Sequence, residues 1–388
     1  MDFLERYLLL GLRLGRHIDG FDDAYYGPPE LATQAKAEPP VPAAELAAEA
    51  AALAGELRFE DGRRNEWLRA QLAGCETTAR RLAGEPIGWA EEVERCYGVC
   101  PEPVPEERFA QAHEQLDEAL PGDGELAPRY QDWVERQNVP AETLLPAATR
   151  FADELRSRTE ALFGLPEHEA FELEAVRNEP WLAFNYYLGG RRSRVVVNTD
   201  LPLRSFVVPG MVAHEAYPGH HTEHAWKEAL LVDGDGRLEE TILLTGTPQS
   251  VVSEGIAMLA PDLAFAGEED AVASTVYGEL GIDYDAQTSA AARAFREAIQ
   301  GISVNAARLL YEEERPRDEV RDYLQRWELT TVERAEKALE FLTHPTWRAY
   351  ISCYSSGYEL CRRWVDGDVG RFRTLLTEQL TTGDLVAG

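Results

Sequence analysis

The chain has 388 residues, of which 44% are hydrophobic and 9% aromatic, and this composition is typical of a globular protein with a sizeable core. Its 69 acidic residues outnumber its 38 basic residues, so the formal net charge is −31 at pH 7. Such a surface repels phosphate backbones and anionic lipids, which argues against nucleic acid and membranes as partners. The five scattered cysteines lack C-x-x-C spacing, which argues against a disulfide framework or a cysteine zinc site.

The amino-terminal region is a poor match to a secretory signal. A short apolar stretch lies there, but Asp2 and Glu5 precede it and Arg13 interrupts it. No run reaches the ~18 apolar residues that a membrane span requires. The sequence therefore predicts a soluble, cytoplasmic protein.

Most of the first half has helical periodicity, with apolar residues three and four positions apart. The predicted helices cover residues 42–57, 65–83, 105–119 and 141–163. Asn65 is the expected N-cap of the second helix. The Pro-Gly loop at 120–124 divides an N-terminal helical part, residues 1–122, from residues 123–388, within one predicted compact body.

One segment favours strands instead. Residues 181–188 are rich in aromatic residues, Gly189 and Gly190 follow, and residues 194–198 are mostly β-branched. This pattern predicts a small β-hairpin with a turn longer than two residues. The hairpin would offer an edge strand on which an extended peptide could lie.

The second half returns to helical patterns, so the predicted fold class is predominantly all-α. The expected helices cover residues 250–263, 285–315, 317–329, 331–342 and 346–364. Prolines interrupt the patterns between these segments.

Four of the eight histidines fall within eleven residues: His214, His220, His221 and His224. Glu215 directly follows the first of them. In the zincin motif H-E-x-x-H, two histidines one helical turn apart bind zinc, and the glutamate acts on the attacking water. The cluster therefore predicts a zinc site with Glu215 as general base.

The spacing departs from that motif, because Pro218 occupies the position four residues after His214. In a straight helix, His220 would point away from the His214 face, and His221 would lie about 10 Å further along the axis. A distortion at Pro218-Gly219 that absorbs two residues would return His220 to the ligand position. We therefore expect His214 and His220 to be ligands, with His221 as a substitute.

The pair His220 and His224 has i, i+4 spacing and is a further possible ligand pair. A third protein ligand is still required, with one position left for water. Glu254 is the candidate, because it lies on an otherwise apolar helical stretch where an unpaired carboxylate would be costly to bury.

These residues resemble a known family. The string His-Glu-x-x-Pro-Gly-His-His at 214–221 and the Glu-Gly-x-Ala string at 254–257 are similar to the bacterial family known as domain of unknown function eight-eight-five. Its members look like distant relatives of the thermostable carboxypeptidase (carboxypeptidase Taq) family. Weaker similarity covers residues 21–28, 197–199 and 354–357.

The resemblance implies an elongated helical gluzincin-like fold with a substrate groove and zinc at its floor. It also implies His214, a histidine after Pro-Gly, and Glu254 as ligands, with Glu215 as general base. Many relatives carry an Asp-Thr-Gly-x-His string before the last helical segment. The comparable stretch here, residues 308–314, has no such histidine.

The resulting prediction is a zinc-dependent hydrolase acting on a peptide or another amide, of carboxypeptidase-like type. Tyr354 is the expected oxyanion donor, with Tyr350 and Tyr358 at helical spacing from it. Arg204 and Arg348 are candidates for reading a substrate carboxylate. The alternatives are a zinc-binding protein with little or no catalysis and a helical scaffold without metal.

Overall fold

The computed structural model describes residues 1–179 and 181–387. Helices account for 64% and strands for 8% of the chain, so the predominantly helical prediction is confirmed. The helices are α1 (Phe3–Leu14), α2 (Pro29–Ala37), α3 (Ala43–Glu56), α4 (Gly62–Leu82), α5 (Trp89–Tyr97), α6 (Glu106–Ala119), α7 (Leu126–Arg136), α8 (Ala141–Phe163), α9 (Val208–Glu215), α10 (His220–Lys227), α11 (Pro248–Phe265), α12 (Glu269–Glu279), α13 (Ala286–Ala298), α14 (Ile302–Tyr311), α15 (Arg317–Trp327), α16 (Val332–Thr343), α17 (Trp347–Val365), α18 (Val369–Thr377) and α19 (Thr382–Ala387). The strands are β1 (Asp22–Tyr25), β2 (Ala170–Val176), β3 (Ala183–Gly189), β4 (Arg192–Asn198) and β5 (Ile242–Leu244).

Two helix predictions need correction. Helix α4 begins three residues before the expected start, because the Asp61 carboxylate, and not Asn65, accepts the hydrogen bond from the Arg63 amide at 2.9 Å. The helix expected over 285–315 is two helices, α13 and α14. The Asn305 side chain bonds the Val104 backbone through both its oxygen and its nitrogen, which fixes α14 to the loop before α6.

The predicted hairpin is present as β3 and β4, which pair antiparallel. Strand β2, which the sequence patterns did not indicate, pairs parallel to β4, so the sheet order is β2-β4-β3 and β3 is an edge strand. A second, two-stranded sheet pairs β1 with β5, although the two strands lie more than 200 residues apart in the sequence. Strand β1 thereby lies beside the elements of the second half.

Helices α11 and α17 cross in close backbone contact. A Cβ atom added at Gly255 would lie 2.4 Å from the carbonyl oxygen of Gly357, and one added at Gly357 would lie 2.3 Å from the carbonyl oxygen of Val251. Only glycine at both positions allows this approach. The crossing brings Glu254 on α11 against Tyr350 on α17.

In the described part of the chain, no helix combines the length and the apolar character that crossing a bilayer requires.

The crossing makes a testable prediction about stability. Gly255→Ala should lower the free energy of unfolding by about 2–3 kcal/mol, because the new methyl group would overlap the α17 backbone. Gly278→Ala in α12 is the matched control: nothing lies within 4 Å of the added atom, so the change should be about 1 kcal/mol or less and stabilising. Urea unfolding followed by circular dichroism measures both. Equal effects in the two variants would contradict the close crossing.

Candidate metal centre

The histidine cluster lies on two helices and not on one distorted helix. Helix α9 ends at Glu215, residues 216–219 are irregular, and α10 begins at His220. A Cβ atom at Gly219 would lie 1.8 Å from the carbonyl oxygen of His214, so glycine is required where the chain turns back. The prediction of a bulge inside one helix is therefore wrong in form, although the turn brings His220 beside His214 as that prediction required.

Three of the predicted ligands converge. One ligand atom from each of His214, His220 and Glu254 can be chosen so that all lie within 4.8 Å of one another. The His214 Nε2 to Glu254 Oε2 distance is 3.5 Å, and the His220 Nε2 to Glu254 Oε1 distance is 3.9 Å. Tetrahedral zinc with bonds of about 2.1 Å places its ligand atoms roughly 3.4 Å apart. The separations are thus close to those that a zinc ion requires.

His221 points away from this cluster. It is fully buried, with Nε2 2.9 Å from Glu169 Oε2 and Nδ1 2.8 Å from the Ser193 hydroxyl. Tyr217 also donates to Glu169. Both ring nitrogens of His221 are therefore occupied, and the structure places His220, and not His221, next to His214.

A second cluster joins His220 and His224 to Glu223. The Glu223 carboxylate is already engaged, because it accepts from Lys227 Nζ at 2.6 Å and from the Ser253 hydroxyl at 2.6 Å. A carboxylate paired with a buried ammonium is a poor candidate for a metal ligand. The i, i+4 pair is thus the weaker of the two arrangements.

Hydrogen bonds orient the first cluster. Since the Ser253 hydroxyl donates to Glu223, it accepts from His220 Nδ1 at 3.1 Å, and this tautomer leaves the Nε2 lone pair free towards Glu254. Tyr350 donates its hydroxyl proton to Glu254 Oε1 at 2.6 Å. Glu254 Oε2 is buried and has no hydrogen-bond partner among the described residues. An orphaned carboxylate oxygen facing two imidazoles fits a divalent metal such as zinc.

The cluster lines a cavity of about 60 Å³ that also contains Glu215, Tyr354 and Asp23. Three of its lining residues are acidic, three are histidines, and none of those described is lysine or arginine. Burial raises the pKa of Glu254 to about 8, and burial with the nearby Glu254 and Asp23 raises that of Glu215 well above its ordinary value. The cavity therefore holds carboxyl groups whose ionisation is disfavoured because no cationic side chain among the described lining residues compensates it.

Burial favours the neutral form of both His214 and His220. Burial lowers the pKa of His220 to about 4, and burial together with the nearby His220 lowers the pKa of His214 well below its ordinary value. Neutral imidazole is the form that binds zinc. The two histidines are thus ready as ligands, while ionisation of Glu254 would be favoured by a bound cation.

Asp23 is a site residue that the sequence motifs did not single out. It lies at an irregularity in the pairing of β1 with β5, between Asp22 and Ala24, and lines the cavity beside Leu243. Such bulges redirect a side chain out of the regular alternation. Burial raises the pKa of Asp23 to about 7. The stretch 21–28, part of the family resemblance, was the available signal.

Of the remaining predicted residues, some line the cavity and others do not. Tyr354 lines the cavity, whereas Tyr358 instead bonds Asp262 and lies outside it. Among the described residues, none in the stretch 308–314 lines the cavity. Arg348 is paired with Glu92 at 3.1 Å and is not part of the site.

No protein-family model matches the chain, and no curated protein matches it. Among solved structures, a putative lipoprotein from Colwellia psychrerythraea is similar, with a TM-score of 0.57 and 14% identity. The match covers 89% of this chain and 66% of that protein, so the chain spans slightly less than two thirds of its length. At this identity the likeness shows the fold alone.

The buried Glu169 network makes a prediction about pH. Burial opposes ionisation of Glu169, but hydrogen bonds from His221 and Tyr217 outweigh it and hold its pKa at about 2, below the ordinary 4.5. Its stabilising contribution is therefore complete above about pH 5 and is lost as the pH falls towards 2. Glu169→Gln should lower the free energy of unfolding by about 3 kcal/mol at pH 7.

The difference from the unchanged protein should shrink below pH 4, as measured by urea unfolding at a series of pH values. The exposed neighbour Glu167→Gln serves as control and should have no effect. A difference that stays constant with pH would show that Glu169 acts through packing and not through its charge.

Proposed function

We propose that this protein is a zinc-dependent hydrolase that cleaves an amide bond, most simply in a peptide, and that it is a gluzincin-like relative of the carboxypeptidase Taq family. One observation carries the proposal: two neutral histidines and a buried carboxylate with an orphaned oxygen converge in a cavity rich in acids. His214, His220 and Glu254 would hold the ion. Zinc bound there would supply Lewis-acid activation of water and of the substrate carbonyl.

Glu215 is placed to move the proton. It follows the ligand His214 at the end of α9 and lines the same cavity, and the Asn185 amide donates to its backbone carbonyl at 2.7 Å. As a carboxylate, Glu215 would take a proton from the attacking water and then deliver it to the leaving nitrogen.

Tyr354 and Tyr350 have different expected roles. Burial raises the pKa of Tyr354 well above its ordinary value, so its hydroxyl keeps its proton. Among the described residues the Tyr354 hydroxyl forms no hydrogen bond, which leaves it free to donate to the oxyanion that forms on the substrate. Tyr350 already donates to Glu254 and is a positioning residue for that ligand.

The edge strand β3 supports a peptide substrate. Ala183, Phe184 and Asn185 of this strand line the cavity, so an extended chain pairing with β3 would pass the proposed ligands. The location in the cytoplasm stays a prediction from the sequence.

The alternative is a zinc-binding protein without turnover. The small volume of the cavity, about 60 Å³, and the stretch 308–314, which lacks the histidine of the relatives, favour it. The two proposals share the metal and differ only in catalysis, so they require separate experiments.

The metal is tested first. Protein purified without chelator should contain about one zinc per chain, and His214→Ala should lose it, because two remaining ligands bind zinc weakly. Inductively coupled plasma mass spectrometry measures the content. His168→Ala, which changes an exposed histidine outside the cavity, is the control and should retain zinc. Absence of metal from the unchanged protein, even after zinc is supplied, would contradict both proposals.

Catalysis is tested on a peptide library with zinc-loaded protein. Glu215→Gln should abolish cleavage while zinc content is unchanged, since the base and not a ligand is altered. Tyr354→Phe should lower kcat about 100-fold with little change in KM. Tyr350→Phe should instead weaken zinc binding about 10-fold. Zinc binding without any cleavage would establish the alternative.

A further inference from the structure

The cavity of about 60 Å³ that His214, His220 and Glu254 line is the proposed metal pocket. A larger cavity lies next to it. Its volume is about 470 Å³, and segments of α7, α13 and α16 and the chain after β4 form its walls. Trp181 and Phe341 line both this cavity and the metal pocket. The two cavities are therefore adjacent, because they share these two lining residues.

The charge of the larger cavity is opposite to that of the protein. Four basic residues line it, Arg204, Arg296, Arg334 and Lys337, against two acidic residues, Asp200 and Glu328. In the whole chain, by contrast, 69 acidic residues outnumber 38 basic residues. A third cavity, between α8 and α12, follows the general trend, with four carboxylates against two arginines. The excess of basic groups is therefore a local feature.

None of the three arginines forms an ion pair with a described residue, and two of them are held by one backbone carbonyl. Arg204 and Arg334 each donate to the backbone carbonyl of Pro202, at 3.2 and 3.4 Å, and neither forms an ion pair with any described residue. Arg204 Nε is buried and has no hydrogen-bond partner in the described part of the chain. Burial without a compensating charge lowers the pKa of Arg334. Both arginines are partly buried, and a partly buried guanidinium group without a carboxylate partner fits an anion that arrives from outside.

The two acidic residues do not cancel this charge. Asp200 is exposed and accepts hydrogen bonds from the Asn178 amide. Burial raises the pKa of Glu328 to about 7, although the charge of Arg296 opposes the rise. Even with both acids ionised, four basic groups exceed two acidic groups, so the cavity has a net positive charge.

We infer that this cavity binds a carboxylate of the substrate whose amide bond lies in the metal pocket, with Arg204 and Arg334 as the groups that recognise it. The inference rests on the proposed hydrolase function. A singly charged carboxylate fits two guanidinium groups in a cavity that also contains carboxyl groups, and a polyanion does not. The aromatic walls, which include Tyr130, Phe206 and Phe295, suit the apolar part of a peptide.

The carboxylate has two possible sources in a peptide: the C-terminus and the side chain of an acidic residue. Four acetylated pentapeptides of one backbone separate them, with a C-terminus that is free or amidated and a central residue that is Glu or Gln. Binding is measured by isothermal titration calorimetry to full-length protein with Glu215→Gln, which prevents turnover. Each titration is made with zinc and after removal of zinc.

Peptides with the recognised carboxylate should bind about 10-fold more tightly than the doubly neutral peptide, and the preference should weaken in high salt. Arg334→Gln and Arg204→Gln should each remove the preference without changing the zinc content. Arg363→Gln is the control: this arginine is 71% exposed, is paired with Glu359 and does not line the cavity, so its loss should leave the preference intact. Because Arg204 is partly buried, Arg334→Gln decides the matter if Arg204→Gln fails to fold.

Equal binding of all four peptides, or an unchanged preference in Arg334→Gln, would overturn the inference. Cleavage of peptides without charge preference would leave the hydrolase proposal standing and remove only the carboxylate site. A preference that depends on Arg334 in a protein without cleavage would leave the carboxylate site standing and remove only the hydrolase. The two failures are thus distinguishable.

Discussion

Two helix backbones touch at Gly255 and Gly357, and the side chains beside this contact form one wall of the proposed metal pocket. Glu254 precedes the glycine of α11, and Tyr350 and Tyr354 lie on the preceding turns of α17. Because no side chain separates the helices there, the Glu254 carboxylate and the Tyr350 phenol come within hydrogen-bonding range. Larger residues at the crossing would move α17 away from the carboxylate. The position of the proposed ligand therefore depends on an interaction between backbones and not on the polar groups themselves.

The pocket that results contains buried acidic groups without a positive charge among its described residues to balance them. Asp23, Glu215 and Glu254 line it without a basic side chain among the described lining residues. Burying carboxylates in this way is unfavourable, as the raised pKa values of all three record. The Glu223 carboxylate nearby, by contrast, has its own ammonium partner in Lys227. The chain thus neutralises one buried acid internally and leaves others facing an open space, which is the electrostatic basis for the proposed metal.

Much of the fold could be predicted from the sequence, because amphipathic periodicity is a local property. Helix α8 occupies the predicted residues, and the hairpin of β3 and β4 follows from local β propensity. The parallel pairing of β2 with β4 is not local, because it joins segments about twenty residues apart. The sequence of β2 has no pattern that identifies β4 as its partner strand. Asp23 was missed for the same reason: its place in the pocket depends on a strand pairing with β5, more than 200 residues away. The choice between His220 and His221 required the turn geometry that Gly219 allows.

The break between α9 and α10 also affects how such sites can be recognised. Within one regular helix, two metal-binding histidines must follow a fixed interval, because the rise and rotation per residue are constant. Here a four-residue irregular segment separates the helix that carries His214 from the helix that carries His220. The sequence interval between the two histidines therefore depends on this segment, whose Gly219 packs closely against the His214 carbonyl. A pattern search that demands the four-residue interval would pass over this chain. Searches that allow a Pro-Gly interruption between the histidines are better suited to finding its relatives.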